Sequence, residues 1–232
     1  MGPLRVQVWS DIACPWCYVG KRRLETAIGR APHGGQVDVV WRSFELDPAA
    51  PRMHPAVPYA ERLARKYRTS IARAEEMIAR MTSVAAAEGL AFRFDHIQPG
   101  NTFDAHRILH LARERAVQGA VKERLLRAYM TEGEPIGDRQ ALARLSAEAG
   151  LDAEEVGRVL AGDAYAADVR ADEAEAHRLG IDAVPFFLFS DAYGVSGAQP
   201  VEVLEQALTK GMAEAAPHAV REGAACGPAG CG

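Results

Sequence analysis

The sequence predicts an α/β fold in which a strand–helix–strand unit is separated from its closing strand and helix by a long helical block. Three observations predict it. Leu4-Arg-Val-Gln-Val-Trp9 and Val37-Asp-Val-Val-Trp-Arg-Ser-Phe44 are apolar, β-branched runs on either side of a helical segment. Residues 57–180 hold no β-rich window and repeat apolar residues at helical spacing. After Gly180 the strand pattern returns in Val184-Pro-Phe-Phe-Leu-Phe189, and one more helix follows.

Each element has its own signal. In the first strand Val6, Val8 and Ser10 alternate with Gln7 and Trp9. Cys14-Pro-Trp-Cys17 stands at the joint with the helix Tyr18–Ile28, which is expected to end near Gly29, before the turn Pro32-His-Gly-Gly35. Two strands joined by a helical crossover are expected to be parallel, with a right-handed connection. In Ser70–Glu88 the residues Ile71, Ala74, Ile78, Met81 and Ala85 mark one helix face, with Met77 and Met81 read as core rather than as a peptide-binding surface. Asn101 is read as the N-cap of the next helix, with Asp104 at its third position. Further helices are expected over Ala120–Met130, Arg139–Ala149, Ala153–Leu160 and Ala164–Leu179, punctuated by Gly119, Gly133-Glu-Pro135, Gly150 and Gly162. Asp191–Gly194 is expected to turn, and Pro200 to open the last helix, where its missing N–H costs least. The chain therefore divides into 1–56, a helical segment 57–180, a return at 181–216, and a small, turn-prone tail 217–232 expected to be flexible.

Composition bounds the function. The 232 residues suffice for an ordinary hydrophobic core without a disulfide scaffold. Lys and Arg number 27 against 31 Asp and Glu, a net charge of −4 that offers no footprint for nucleic acid or an anionic membrane. No apolar run approaches the roughly 20 residues needed to span a bilayer. The N-terminus enters the first strand without a basic head and apolar stretch, so a cytoplasmic location is expected, where disulfides are usually transient and catalytic.

The chemistry centres on Cys14 and Cys17. A helix start offers free backbone N–H groups and the positive end of the helix dipole, and both stabilise a thiolate, the reactive form of cysteine. Cys14 is expected to have an exposed sulfur and to act as nucleophile, with Cys17 one turn on as the resolving thiol. Cys-x-x-Cys is also a zinc spacing, but the other pair is Cys226 and Cys231, a Cys-x4-Cys, so no metal is expected. Gly227-Pro-Ala-Gly230 suits a tight turn that brings Cys226 and Cys231 together, as a second redox pair, a metal-binding tail or two idle thiols. Asp11 is read either as a cap for the first helix or as a carboxylate that disfavours a nearby thiolate. His106 and His110 stand at i, i+4, a metal-pair spacing with no third ligand evident in the sequence. Lys21-Arg-Arg23 is read as a solvated face, able to steer partners.

Five blocks in register carry a resemblance over essentially the whole chain: Trp9–Lys21 around the cysteines, Trp41–Pro48, Asn101–Arg107, Gly180–Phe187 and Cys226–Cys231. The chain resembles the thioredoxin superfamily and, more narrowly, DsbA-family thiol oxidoreductases of the FrnE-like branch. The resemblance implies a thioredoxin-like fold with a large α-helical insertion, and disulfide oxidoreductase or isomerase activity on protein or small-molecule thiols and disulfides, with no cofactor. It implies a cis peptide before Pro185 facing the cysteines and substrate pairing at Val184. Trp16 and His106, inside matched blocks, are expected to line the cleft. Thioredoxin's buried acid falls here on Val8, so any proton relay must come from elsewhere. Two other functions remain. The DsbA-like group includes glutathione-dependent 2-hydroxychromene-2-carboxylate isomerases, which typically carry serine where Cys14 stands. The other is a metal-binding or redox-sensing protein using four thiols.

Overall fold

The computed structural model describes residues 3–31, 36–53 and 57–215. A four-stranded sheet has the order β2-β1-β3-β4, from β1 (Leu4–Ser10), β2 (Val37–Ser43), β3 (Phe186–Phe189) and β4 (Tyr193–Ser196). β1 runs parallel to β2 from Leu4↔Val37 to Ser10↔Ser43, and antiparallel to β3, with Val8 opposite Phe187. α1 (Pro15–Arg30) links β1 to β2, and α9 (Val201–Ala215) closes the chain. Between β2 and β3 lie α2 (Tyr59–Tyr67), α3 (Ile71–Ala87), α4 (Phe103–Glu114), α5 (Gln118–Arg127), α6 (Arg139–Glu148), α7 (Ala153–Ala161) and α8 (Ala166–Arg178). The expected α/β, thioredoxin-like class with a helical segment between its strands is what the structure has.

The sheet is covered on both faces because alternate side chains are apolar on both. Leu4, Val6, Val8, Phe187 and Phe189 pack with Leu24 and Ala27 of α1 and Leu204, Ala207 and Leu208 of α9. Trp9 points the other way, onto Ala176 of α8 and Ile181. α1 has a second apolar side: Tyr18 and Val19, with Ile12 ahead of them, join the large helical core around Ile108, Leu111, Val121, Leu125 and Leu142. The first turn of α1 therefore sits in the seam between sheet and helical block. Met81 belongs to that helical core, and Met77 packs beside Leu63 between α2 and α3.

Two side chains lock the outer rim of the sheet. The Gln118 carboxamide accepts from the Trp41 amide (2.9 Å) and donates to the Trp41 carbonyl (3.0 Å), as a neighbouring strand would. Asp172 on α8 accepts from the Ser43 amide (2.8 Å) and from Arg42 (2.9 Å), and lies 3.2 Å from His110 Nε2. The Asp172 backbone carbonyl accepts from the Trp9 indole at 3.0 Å. Burial alone would raise this acid, but the His110 and Ser43 hydrogen bonds and the Arg42 charge hold it below the usual carboxylate range.

Several boundaries differ from the expected ones. The N-cap of α4 is Thr102, without a side-chain cap, because the Asn101 carboxamide oxygen accepts from the Phe103 amide (2.9 Å) as a local turn. α5 starts at Gln118 and runs through Gly119; the break with α4 falls at Ala116, whose φ is 56°, a left-handed conformation that an alanine does not signal. The β3–β4 turn uses Ser190 and Asp191 at φ 51° and 57°, so Tyr193 and Gly194 belong to β4 rather than to the turn. β3 begins at Phe186, after the Val184–Pro185 bond.

Asp172→Asn is expected to destabilise the protein by about 3 kcal/mol, the scale of breaking a buried charge pair. Urea denaturation measures it; an unchanged midpoint would show that α8 is not held to β2 through this carboxylate.

Candidate active site

The central strand delivers the chain to a four-residue turn, Asp11–Cys14, and then into α1. Cys14 is the N-cap, Pro15 fills the first helical position, and the first turn carries no acid. A helix start of this kind favours negative charge on its N-cap. The Cys17 amide donates to the Cys14 carbonyl at 3.1 Å, so Cys17 follows one turn in. Both are free cysteines and both are buried. The expectation of an exposed Cys14 is corrected: the residue is 4% exposed, because its sulfur lies under the loop before β3, 3.6 Å from the Val184 carbonyl to which its thiol donates.

The Val184–Pro185 peptide is cis, and this loop also touches α1. A methyl group placed on Gly20 would lie 2.9 Å from Pro185 Cγ and 3.1 Å from Phe187 Cζ. The bare glycine permits the close approach of helix and loop. Trp16 is 37% exposed, as is Leu46, whose amide is hydrogen bonded beside the cysteine turn. These two apolar groups face solvent at the site.

Asp11 does not cap α1. One of its oxygens accepts from the Ala13 amide (3.3 Å) and lies 3.3 Å from His106 Nε2, while the other accepts from the Leu46 amide (2.8 Å). Burial, the largest effect, would raise this carboxyl, yet the His106 hydrogen bond and charge and the Leu46 amide together hold it below its ordinary value. His106 is fully buried and stands behind the cysteine turn rather than on an open wall, because α4 buries that face in the helical core. His110 turns instead to Ser43 and Asp172, so the two histidines do not share a ligand position. Among the described residues, no group of three or more His, Cys, Asp or Glu is placed to hold a metal ion.

Lys21-Arg-Arg23 is not a solvated face. Lys21 is buried, with its ammonium 2.5 Å from both Glu25 and Glu123; Arg22 also bonds Glu123, and Arg23 lies 2.6 Å from Glu88. This side of α1 meets α5 and α3 through these pairs, while Arg22 and Glu25 stay partly open to solvent.

Cys17 has its thiol pushed up by burial, by its hydrogen bond to Cys14 and by the charge there. Lys122 of α5, fully buried, opposes that rise through its own charge. Its Nζ has no hydrogen-bond partner among the described residues and lies 5.6 Å from the Trp41 ring centre. Desolvation lowers Lys122 to about 8, against the raising influence of Cys17, Asp11 and Cys14. Sequence reading missed this residue. The available signal was a lysine flanked by Val121, Leu125 and Leu126 in the buried arc of a helix. Tyr59 was missed too: burial and the neighbouring Tyr129 and Cys14 charges raise its phenol. Cys226 and Cys231, expected as a second redox pair, lie outside the described residues.

A strand–turn–helix that seats a Cys-x-x-Cys opposite a cis-proline loop matches a known family along most of the chain: the DSBA-like thioredoxin domain, over residues 5–209. The chain belongs to that family. It is 48% identical to a probable DsbA oxidoreductase from Streptomyces coelicolor, whose structure superimposes with a TM-score of 0.87 over 99% of this chain and 98% of that one. It is 29% identical to the protein YwbO of Bacillus subtilis (strain 168), over 89% of this chain and 96% of the relative. The cytosolic disulfide reductase DsbM from Pseudomonas aeruginosa, solved with GSH, shares the fold at 18% identity, with a TM-score of 0.59 over 91% of this chain and 96% of that one. No helix among the described residues is long and apolar enough to cross a membrane.

Two outcomes follow for this DsbA-like site. Gly20→Ala is expected to force α1 from the Pro185 loop and to cost about 1–3 kcal/mol, as overpacking does; a melting temperature equal to that of the parent would contradict the contact. Asp11→Asn should remove part of the acid sensitivity. With its folded carboxyl below the unfolded value of about 3.9, Asp11 contributes stability that is fully present above that pH and lost as pH falls through the lower folded value. Denaturation midpoints measured from pH 6 to pH 3 should therefore drop less steeply in the variant than in the parent protein.

Proposed function

We propose that the protein is a thiol–disulfide oxidoreductase of the FrnE-like kind, exchanging disulfides with protein substrates through Cys14 and Cys17. On this reading residues 1–56 and 181–216 form the thioredoxin-like domain, 57–180 are inserted into it, and Cys226 and Cys231 supply a second dithiol. The observation that carries the reading is the seat of the two sulfurs: Cys14 at the helix N-terminus under the Val184 carbonyl, and Cys17 fully buried one turn behind.

The reaction follows from that asymmetry. Cys14, as thiolate, attacks one sulfur of a substrate disulfide, and the other leaves as a thiolate, giving a mixed disulfide at Cys14. Cys17 is held as a thiol by burial until that disulfide lies beside it. Its attack on the Cys14 sulfur forms the Cys14–Cys17 bond and releases the partner reduced. Trp16 and Leu46 give the substrate an apolar rim, and Val184 supplies backbone for it to pair with. Run backwards, the same steps oxidise a dithiol partner. Cys17 argues against the isomerase alternative, because a glutathione-dependent isomerase has no use for a buried resolving thiol.

The test is insulin reduction with a thiol reductant. Cys14→Ser is expected to reduce turnover to background, and Cys17→Ser to accumulate mixed disulfides at Cys14, detectable by mass spectrometry. Full activity in Cys14→Ser would remove Cys14 from the reaction, and with it the proposed function.

A further inference from the structure

Most arginines of the described residues lie against a carboxylate. Arg23 meets Glu88, Arg107 and Arg139 meet Asp104, Arg124 meets Glu132 and Glu148, and Arg170 meets Glu45 and Glu173. α2 departs from this. Arg62, Arg65 and Lys66 stand at i, i+3 and i+4 on one face of it, and Arg68 is its C-cap. Arg62 is half-buried, whereas Arg65, Lys66 and Arg68 are exposed and form no ion pair among the described residues. α2 has one acid, Glu61, and α3, on which α2 packs, adds no net charge, with Arg73 and Arg80 against Glu75 and Glu76. On a chain of net charge −4 this is a local excess of positive charge. The helix dipole favours cations in a last turn, but it does not account for the apolar groups beside them. Tyr67 is 55% exposed and Ile71 51%, the most open large hydrophobic side chains of the described residues, and Lys66 Nζ lies 6.0 Å from the Tyr67 ring centre. A run of rings ties this helix to the cysteines. Tyr18, next to Cys17, stacks on Phe92 (5.9 Å), Phe92 meets Phe94 edge-on (5.7 Å), and Phe94 packs on Tyr59 (4.8 Å), the first residue of α2. α2 has nine residues, about 13 Å of helix. An extended chain covers about 3.3 Å per residue, so roughly ten residues of polypeptide bridge the reactive sulfur and this basic face.

We propose that the exposed end of α2, Arg65, Lys66 and Arg68 with Tyr67 and Ile71, is a docking surface for an acidic segment of a protein substrate, about ten residues along from the cysteine being exchanged. This rests on the disulfide-exchange reading above. Trp16 and Leu46 meet the substrate beside the sulfur, and α2 holds it at a second point. Holding a chain at two points raises the effective concentration of its disulfide at Cys14. It touches no reacting atom, so it acts on capture and leaves the chemistry alone. Cations that have no partner of their own receive an acidic chain without breaking an internal ion pair. Tyr67 and Ile71 add the apolar contact that surface charges lack, and Tyr and Arg are residue types enriched at interfaces.

The full-length protein is assayed in turnover with a thiol reductant on three disulfides. One is a peptide disulfide with a run of glutamates about ten residues from its cysteine, the second is the same peptide with glutamines, and the third is hydroxyethyl disulfide, neutral and too small to reach α2. At about 0.05 M salt, kcat/KM for the glutamate peptide is expected to exceed that for the glutamine peptide by about tenfold, the low end of electrostatic steering, with the gain in KM and kcat unchanged. The gain should fade as salt rises to about 0.5 M, where screening acts over about 4 Å. Arg65→Gln, Lys66→Gln and Arg68→Gln combined should abolish the preference and leave the hydroxyethyl disulfide rate as in the wild type, which reports that the variant is folded. Equal kcat/KM for the two peptides in the wild type, a preference that ignores salt, or one that survives in the triple variant would overturn the assignment. So would a dimer of the protein that the triple variant dissolves, or an oligonucleotide that competes as well as the glutamate peptide at equal charge, since either gives the surface to another occupant. Failure to reduce any of the three disulfides overturns the exchange reading and this inference with it. Reduction of all three without a preference for glutamate overturns this inference alone.

Discussion

The Asp11 carboxylate is the point on which the site is hung. It lies between the end of β1 and the start of α1, is almost completely buried, and gathers donors from three stretches of chain: its own turn through Ala13, the connection after β2 through Leu46, and α4 through His106. Taking a carboxylate out of water costs several kcal/mol unless its lone pairs are met, so each donor is held in place by the penalty for losing it. The first turn of α1 is thereby aimed from both sides at once. The sheet sets its height through β1, the helical block sets its rotation through His106, and Cys14 comes to rest under the Val184 carbonyl.

Most other buried charges obey the same accounting. Arg107 donates to the carbonyls of Ala164, Gly162 and Val159 and to Asp104, tying α4 to α7 and to the connection into α8. Asp104 in turn receives Arg139 and Arg52; burial alone would raise it, but the hydrogen bonds and charges of Arg139 and Arg107 hold it below the ordinary carboxylate range. Against that background the buried Lys122 amine, without a hydrogen-bond partner among the described residues, stands out. Natural proteins keep such groups where activity requires them, since stability alone favours replacing them.

Much of this was legible in the sequence because it was written in short-range signals. The alternation in Leu4–Ser10, the helical spacing in Ile71–Ala85 and the Cys-x-x-Cys at a strand–helix joint each have a local cause. So do the caps at Ser70, Asp138 and Asp152, whose side chains accept from the amides three residues on. The resemblance placed Pro185 opposite Cys14, which no local rule supplies. What escaped reading depends on partners far along the chain. Lys21 looked solvated because its counter-charge Glu123 is about a hundred residues away. Asp11 looked like a helix cap because Leu46 and His106 are remote. Lys122 differed from a surface lysine only by the apolar company of its helix, and Ala116 gave no sign of its left-handed backbone.

The Gln118 carboxamide has a consequence for the molecule's relations with others. β2 is the outer strand of the sheet, and outer strands offer unpaired amides and carbonyls on which another chain can template itself. At Trp41 both groups are already occupied by one side chain, and at Ser43 the amide is taken by Asp172. A strand arriving from outside therefore finds these three groups of the border already taken. Ser43 pairs with Ser10 at the end of β1 that leads into the cysteine turn, so the stretch of border least able to recruit a foreign strand is the one nearest the reactive sulfurs.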